Sequence, residues 1–248
     1  MRLLTVDQVP DYIIDNDQII YGYRPTPLTF TRACFSIFEW HNETLNIWSH
    51  LLATVLFVWL LLSATEWPTI IFLCASTCLF ATSAAFHTLL CMNKFTYDKW
   101  RKYDFITIAV LMWSMFVPYC FYSFDQITFT IYMVLATAIA SACIAVTLKP
   151  AFSTNEFHVY RPLVFGTLGL LGAIVIVHGY TRTKNMTTLL LCLTQLVACL
   201  AGAIFYAYKW PEKRGHEIYS FVSSHVMFHV CVVLGIFCFY LGVEALKL

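Results

Sequence analysis

Between Thr187 and Tyr208 the chain reads TTLLLCLTQLVACLAGAIFYAY, an apolar block close to the 20 or so residues that cross a lipid bilayer as a helix. A second such block runs from Ile47 to Ala64. A soluble core would show short amphipathic periods in place of these long runs. Composition agrees. Of 248 residues, 60% are hydrophobic and 12% are charged, against roughly 25% charged in an ordinary soluble domain. A soluble globule of this length could not hide so much apolar surface. The expected fold is an all-α membrane protein, a seven-transmembrane helix bundle, with spans at about 45–65, 68–91, 103–123, 127–148, 161–180, 187–208 and 222–245. Pro118, Gly166, Gly169 and Gly172 fall inside spans, where neighbouring helices can satisfy the backbone they free.

Residues 1–44 are expected to form a cytoplasmic N-terminal segment, polar and aromatic, with a turn-rich stretch from Gly22 to Pro27; residues 45–248 form the transmembrane domain. Asp7, Asp11, Asp15, Asp17, Arg24 and Arg32, with no apolar core among them, argue against a cleavable signal peptide. Orientation follows from the cations between spans. With the N-terminus inside, Arg2, Arg24, Arg32, Lys94, Lys99, Arg101, Lys102, Lys149, Arg161, Lys209, Lys213 and Arg214 lie inside, and only Arg182, Lys184 and Lys247 lie outside. The positive-inside rule then places the N-terminus in the cytoplasm and the C-terminus outside or in a lumen. The net charge of +1 gives no global field for a nucleic-acid partner. Most of the ten cysteines lie inside apolar blocks and read as small buried hydrophobes, with Cys91 at a span end as an acylation alternative.

Ionisable groups inside spans are costly and mark functional sites. His225 and His229 are one helical turn apart on one face, a spacing that suits two ligands of one zinc ion. Alone, the pair is a weak signal, and ordinary hydrogen bonding in a bundle is the readier reading. Alternation of the spans adds His87, about 6 Å from the inner end of span 2 by helical rise, at a depth comparable with His225 and His229. Asp104 opens span 3 at the same level. Three imidazoles plus water form the ligand set of an open catalytic zinc site. Ser83 lies one turn from His87; bonding back to its own helix is its simpler role. Asp104 reads either as a helix cap or as a base for metal-bound water. His50 is at comparable depth, which leaves it open as a further ligand, but packing or a supporting bond to a ligand is its expected role. His41, His158, His178 and His216 are expected to be solvated or interfacial. The sequon at Asn42 is expected to be cytoplasmic and unused, whereas that at Asn185 lies outside, close to the membrane surface that hinders glycosylation.

A further set of residues runs in a fixed order along the chain. It comprises Arg32-Ala33-Cys34-Phe35, the run from His41 to Leu52, Ser83 with His87, Asp104, Val117-Pro118-Tyr119, Tyr122-Ser123-Phe124 and Ser224-His225 with His229. This set closely resembles the progestin and adiponectin receptor (PAQR) family. The resemblance implies that His87, His225 and His229 bind Zn2+, that Asp104 and Ser83 hold or activate its water, and that a lipid-accessible cavity adjoins the metal. It also implies either of two functions. One is ceramidase-type hydrolysis of a lipid amide linked to signalling, with ceramide, fatty acid or sterol as lipid partners. The other is a non-catalytic receptor or Golgi scaffold with structural zinc, in which residues 1–44 meet a cytoplasmic protein partner. A plasma membrane, Golgi or ER location is compatible with both. The chain departs from the family pattern in the stretch Pro211–Glu217, which lacks the usual Pro-Gly, and at Val226, where Gln is usual.

Overall fold

The computed structural model describes residues 1–214 and 220–248. A two-stranded antiparallel ribbon, β1 (Leu4–Thr5) on β2 (Tyr21–Tyr23), and a short helix α1 (Phe30–Phe35) precede the bundle. Then follow α2 (Thr44–Ser63), α3 (Trp67–Leu89), α4 (Lys94–Ser123), α5 (Gln126–Thr147), α6 (Arg161–Thr183), α7 (Met186–Tyr208) and α8 (Ser224–Leu246). Among the described residues these are the seven helices long and apolar enough to cross a membrane; the fifth span opens with a 3-10 stretch, so that it runs from Glu156 to Thr183. The chain is a multi-pass, seven-helix membrane protein.

Local chemistry sets the helix starts. Asn93, Asp125, Asn185 and Ser223 each accept a hydrogen bond from a backbone N–H in the first turn of α4, α5, α7 and α8, satisfying donors that a helix start leaves open. Capping by Asn93 explains the largest departure from the expected spans. α4 begins at Lys94, well before position 103, because the cap and the Lys94–Asp98 ion pair carry the helix beyond the apolar slab that hydropathy detects.

α4 lies inward, touching α3, α5, α6 and α8. Phe57, Phe72, Phe80, Leu73, Leu111 and Leu168 are fully buried around it, whereas Leu62, Val134, Leu170 and Val197 point outward from the bundle. α7 and α8 approach most closely. A methyl group at Gly202 would lie 2.9 Å from Cβ of Cys231, so glycine there permits the small-residue contact on which membrane helix pairs rely.

The N-terminal segment closes one end of the bundle. Val9, Ile13, Ile19 and Tyr23 pack with Phe86, Leu89, Leu90 and Tyr97 into a second hydrophobic core. Arg24 is buried beneath it and donates to Ser36 Oγ at 2.9 Å, to the Thr88 carbonyl at 2.9 Å and to the His87 carbonyl at 2.5 Å. It thereby caps the end of α3, whose last carbonyls have no partner within the helix.

This cover corrects several expectations. His41 and His158 are buried. His41 Nε2 bonds the Ser36 carbonyl and its Nδ1 accepts from the Glu43 N–H; burial pushes its pKa down to about 3. His158 stacks on Tyr206 with ring centroids 4.1 Å apart. Both are expected to be solvated or interfacial because hydropathy treats segments between spans as exposed, and it cannot see a segment folding back over them. His178 is half-buried and shares a 2.8 Å hydrogen bond with the Tyr132 hydroxyl. His216 lies outside the described residues. Cys74 and Cys78 are exposed, on the outer face of α3, and Cys91 is buried in the second core, which removes the access that acylation needs.

Candidate metal centre

The site forms where the end of α3, the start of α8 and the start of α2 meet under the N-terminal cover. His87, His225 and His229 each offer a ligand atom, and these atoms all lie within 4.8 Å of one another. His87 Nε2 and His225 Nε2 are 3.2 Å apart. Two ligands at 2.0–2.1 Å from a tetrahedral ion stand about 3.3–3.4 Å apart, so this pair is already near the separation a metal requires.

Supporting groups fix which nitrogen faces inward. Glu43 Oε2 lies 2.7 Å from His87 Nδ1. A carboxylate can only accept, so Nδ1 carries the proton and Nε2 keeps its lone pair for a ligand. Asn46 Nδ2 donates to the same oxygen at 2.7 Å. Burial acts to raise the Glu43 carboxyl, but the bonds from His87 and Asn46 outweigh it and bring the pKa to about 2. His229 Nδ1 lies 3.3 Å from the Asn46 carbonyl and 3.1 Å from Ser49 Oγ. The carbonyl again requires a proton on Nδ1 and leaves Nε2 free. Such partners orient the histidines of metal centres and raise their basicity.

Asp104 stands on the same cavity wall as His87 and His225. It is buried, and its Oδ1 has no hydrogen-bond partner among the described residues. A buried carboxylate oxygen left open beside three converging imidazoles is a strong fit to a bound cation with an attached water. Ser83 is near enough to act on the Asp104 carboxyl. His50 stacks flat on His229, with centroids 3.6 Å apart and 6° between planes. It packs against His229, the packing role its sequence position suggested. His87, His225 and His229 are thus brought together as one set that could hold a metal ion, with Asp104 on the wall of the same cavity and Ser83 beside it.

Sequence reasoning missed other groups. In the sequence Glu43 and Asn46 stand out only as part of the run from His41 to Leu52. Their spacing of three on a helix start, facing a histidine, was the available signal. Asp15, Arg101 and Arg161 also reach the cavity; nothing local in the sequence joins residues so far apart. Burial alone would raise the Asp15 carboxyl, but Arg101 and Arg161 beside it hold it well below the usual carboxylate range.

The haemolysin-III-related family profile matches residues 38–240, a region that contains all three histidines and Asp104. The chain belongs to the haemolysin-III-related family. Within it, the chain is 29% identical to heptahelical transmembrane protein 1 of Arabidopsis thaliana, over 94% of this chain and 78% of that protein. It is 31% identical to the adiponectin receptor protein of Drosophila melanogaster, over 97% of this chain and 58% of the relative. It is 29% identical to the progestin and adipoQ receptor-like protein 1 of Caenorhabditis elegans, over 98% of this chain and 60% of the relative. The chain therefore spans only about three-fifths of the Drosophila and Caenorhabditis proteins. These family members bear out the progestin and adiponectin receptor resemblance.

Proposed function

We propose that this protein is a membrane-embedded, zinc-dependent hydrolase of lipid amides of the ceramide type, oriented with its N-terminus in the cytoplasm and serving lipid signalling. The observation that carries the proposal is the open carboxylate oxygen of Asp104 beside three converging imidazoles. Zinc, when bound, supplies a Lewis acid that lowers the pKa of water from 15.7 to about 7.

His87, His225 and His229 hold the ion. Glu43 and Asn46 keep the rings of His87 and His229 in the tautomer that binds. Asp104 Oδ1 accepts a proton from the water that attacks the amide carbonyl, and Ser83 steadies that carboxyl. The carbon–oxygen bond forms, the carbon–nitrogen bond breaks, and the proton held by Asp104 passes to the leaving amine. Fatty acid and sphingoid base are the balanced products. No second acid is needed if Asp104 serves in both directions.

A receptor or scaffold with structural zinc is the second reading. It draws support from the joining of α2, α3 and α8 at the centre and from the receptor names of two relatives. In that case residues 1–44 face a cytoplasmic partner. Elemental analysis of the purified protein and of the His225→Ala/His229→Ala variant comes first, with about one zinc per chain expected in the wild type and loss in the variant. Hydrolysis of a short-chain ceramide is then compared between wild type and Asp104→Ala. Retained zinc with lost fatty-acid release supports the hydrolase. Zinc in both proteins with hydrolysis in neither leaves the structural reading.

A further inference from the structure

α4 is longer than the membrane it crosses. Its 30 residues extend about 45 Å at the rise of an α-helix, against roughly 30 Å for the hydrocarbon core of a bilayer. The apolar part, residues 105–123, covers about 28 Å of that length. Residues 94–104 therefore stand beyond the core, in the headgroup layer and the water next to it. A neighbouring helix sets the same boundary. α2, whose 20 residues match the core in length, begins at Thr44. Glu43, just before it, lies 2.7 Å from His87 Nδ1, and His87 shares a cavity wall with Asp104. The two helices thus cross the edge of the core at one level, close to Asp104.

The projecting part of α4 has two faces. Tyr97, Arg101 and Asp104 are buried against the bundle. At 3.6 residues per turn, Lys99, Lys102 and Tyr103 fall on the opposite side. Lys99 is exposed and Tyr103 is 45% exposed. Lys99 Nζ stands 5.9 Å from the centroid of the Tyr103 ring, and Trp100 meets that ring edge to face at 6.0 Å. Tyrosine and tryptophan at this depth anchor a helix in the membrane interface. One turn farther out, Asp98 neutralises Lys94 at 2.8 Å. Among the described residues no carboxylate pairs with Lys99 or Lys102. A further exposed cation, Lys149, lies just past the end of α5. Three residues on, Phe152 packs edge to face on Phe105 at 5.1 Å, which brings this connection beside the same stretch of α4.

Charge and depth together decide what this face meets. Two lysines three residues apart on a helix have Cβ atoms about 5–6 Å apart, so both ammonium groups can reach one phosphate. Their stems lie along apolar surface while the charged ends extend to the headgroups. An acidic protein would have to displace lipid to reach the same level. Anionic phospholipid is already there, and each lysine near a membrane surface strengthens its attraction roughly fivefold.

We propose that the outward face of α4 at Lys99, Lys102 and Tyr103, with Lys149 beside it, binds the headgroup of an anionic glycerophospholipid at the edge of the bilayer. Asp98 limits the strength of that site by withholding Lys94 from it. The proposal goes beyond the hydrolase reading and does not depend on it, because the face points away from the histidine cluster.

The test uses the full chain in a neutral detergent, titrated with dioleoyl phosphatidylglycerol, dioleoyl phosphatidylcholine or soluble glycerol phosphate. Binding of the first lipid is read by native mass spectrometry at low and at high ionic strength. The wild type is expected to prefer phosphatidylglycerol to phosphatidylcholine about 30-fold at low salt, two lysines each contributing roughly fivefold, and less at high salt. Lys99→Gln/Lys102→Gln is expected to bring the two lipids near parity. Asp98→Asn is expected to tighten phosphatidylglycerol binding about fivefold by releasing Lys94; it decides the matter alone should the double variant fail to fold. Lys184→Gln is the matched control. Lys184 also stands over a tyrosine, 5.8 Å from the Tyr180 ring, but at the opposite end of the bundle, and its loss is expected to leave the preference unchanged. A double variant that keeps the preference overturns the site, as does an equal loss in Lys184→Gln. No change in Asp98→Asn overturns the role given to Lys94. Glycerol phosphate binding as tightly as phosphatidylglycerol overturns the assignment to a lipid.

Discussion

The two ends of the bundle are built on different principles. At one end the connections are minimal: 64–66 joins α2 to α3, 124–125 joins α4 to α5, and 184–185 joins α6 to α7. Caps on the neighbouring helix suffice there, as with Asp125 and Asn185. At the other end residues 1–43 fold over the helix termini, and buried polar side chains take over the backbone: Arg24 on the end of α3, Arg161 on the carbonyls of Phe152 and Thr154. The three-histidine cluster lies beneath that cover. Buried polar groups with several obligatory partners concentrate where the chain supports a site, and the plain end shows how little a helix bundle needs when it supports none.

Substitutions at matched positions test this contrast. The largest effect is expected at Arg24. Arg24→Gln leaves the His87 and Thr88 carbonyls without their donor in a buried setting, a cost of about 3 kcal/mol, measured by reversible unfolding in mixed micelles. Retention of full stability would mean that the cover is not tied to the bundle through this residue. Glu43→Gln comes next. It keeps the size of the side chain but weakens the carboxylate–histidine bond, and metal affinity is expected to fall by about 10–100-fold, read by competition with a chromogenic chelator. Unchanged affinity would remove Glu43 from the centre.

The third comparison uses acid. His41 is held neutral by burial, with its pKa lowered from 6.5 to about 3. The unfolded chain therefore takes up a proton first as pH falls below 6.5. Stability from this group is complete above that pH and declines toward pH 3, with a slope approaching about 1.4 kcal/mol per pH unit. His41→Gln should flatten that part of the stability profile, and an identical profile in both proteins would contradict the burial. The smallest effect is expected at the plain end. Tyr132→Phe removes one hydrogen bond, to His178, and should cost roughly 0.6 kcal/mol, the average for such bonds in a membrane protein. A loss as large as that of Arg24→Gln would erase the distinction between the ends.

How far the sequence reached follows the same division. The spans were legible because a bilayer demands long apolar blocks, and the block edges fell near the observed helix ends except at α4, where polar residues continue the helix. The meeting of His87 with His225 and His229 was legible too. Alternating spans place the end of α3 and the start of α8 at one level, and a spacing of four settles their common face. Asp104 was visible as a charge where charge is costly. The role of Glu43 was not, because a carboxylate flanking a span looks like ordinary solvated charge. Asp15 with Arg161, and the burial of His41 and His158, depend on a segment folding back across the bundle. No local period or spacing records such a contact.

Arg24 has a mechanical consequence as well. It follows directly on β2, and one of its nitrogens holds the carbonyl of His87, whose imidazole belongs to the three-histidine cluster. Tension applied to the N-terminal ribbon would travel through one guanidinium to the last turn of α3 and reach His87 before any membrane helix had to unwind. The N-terminal segment is thereby a lever with a short arm, and its load falls on the histidine cluster.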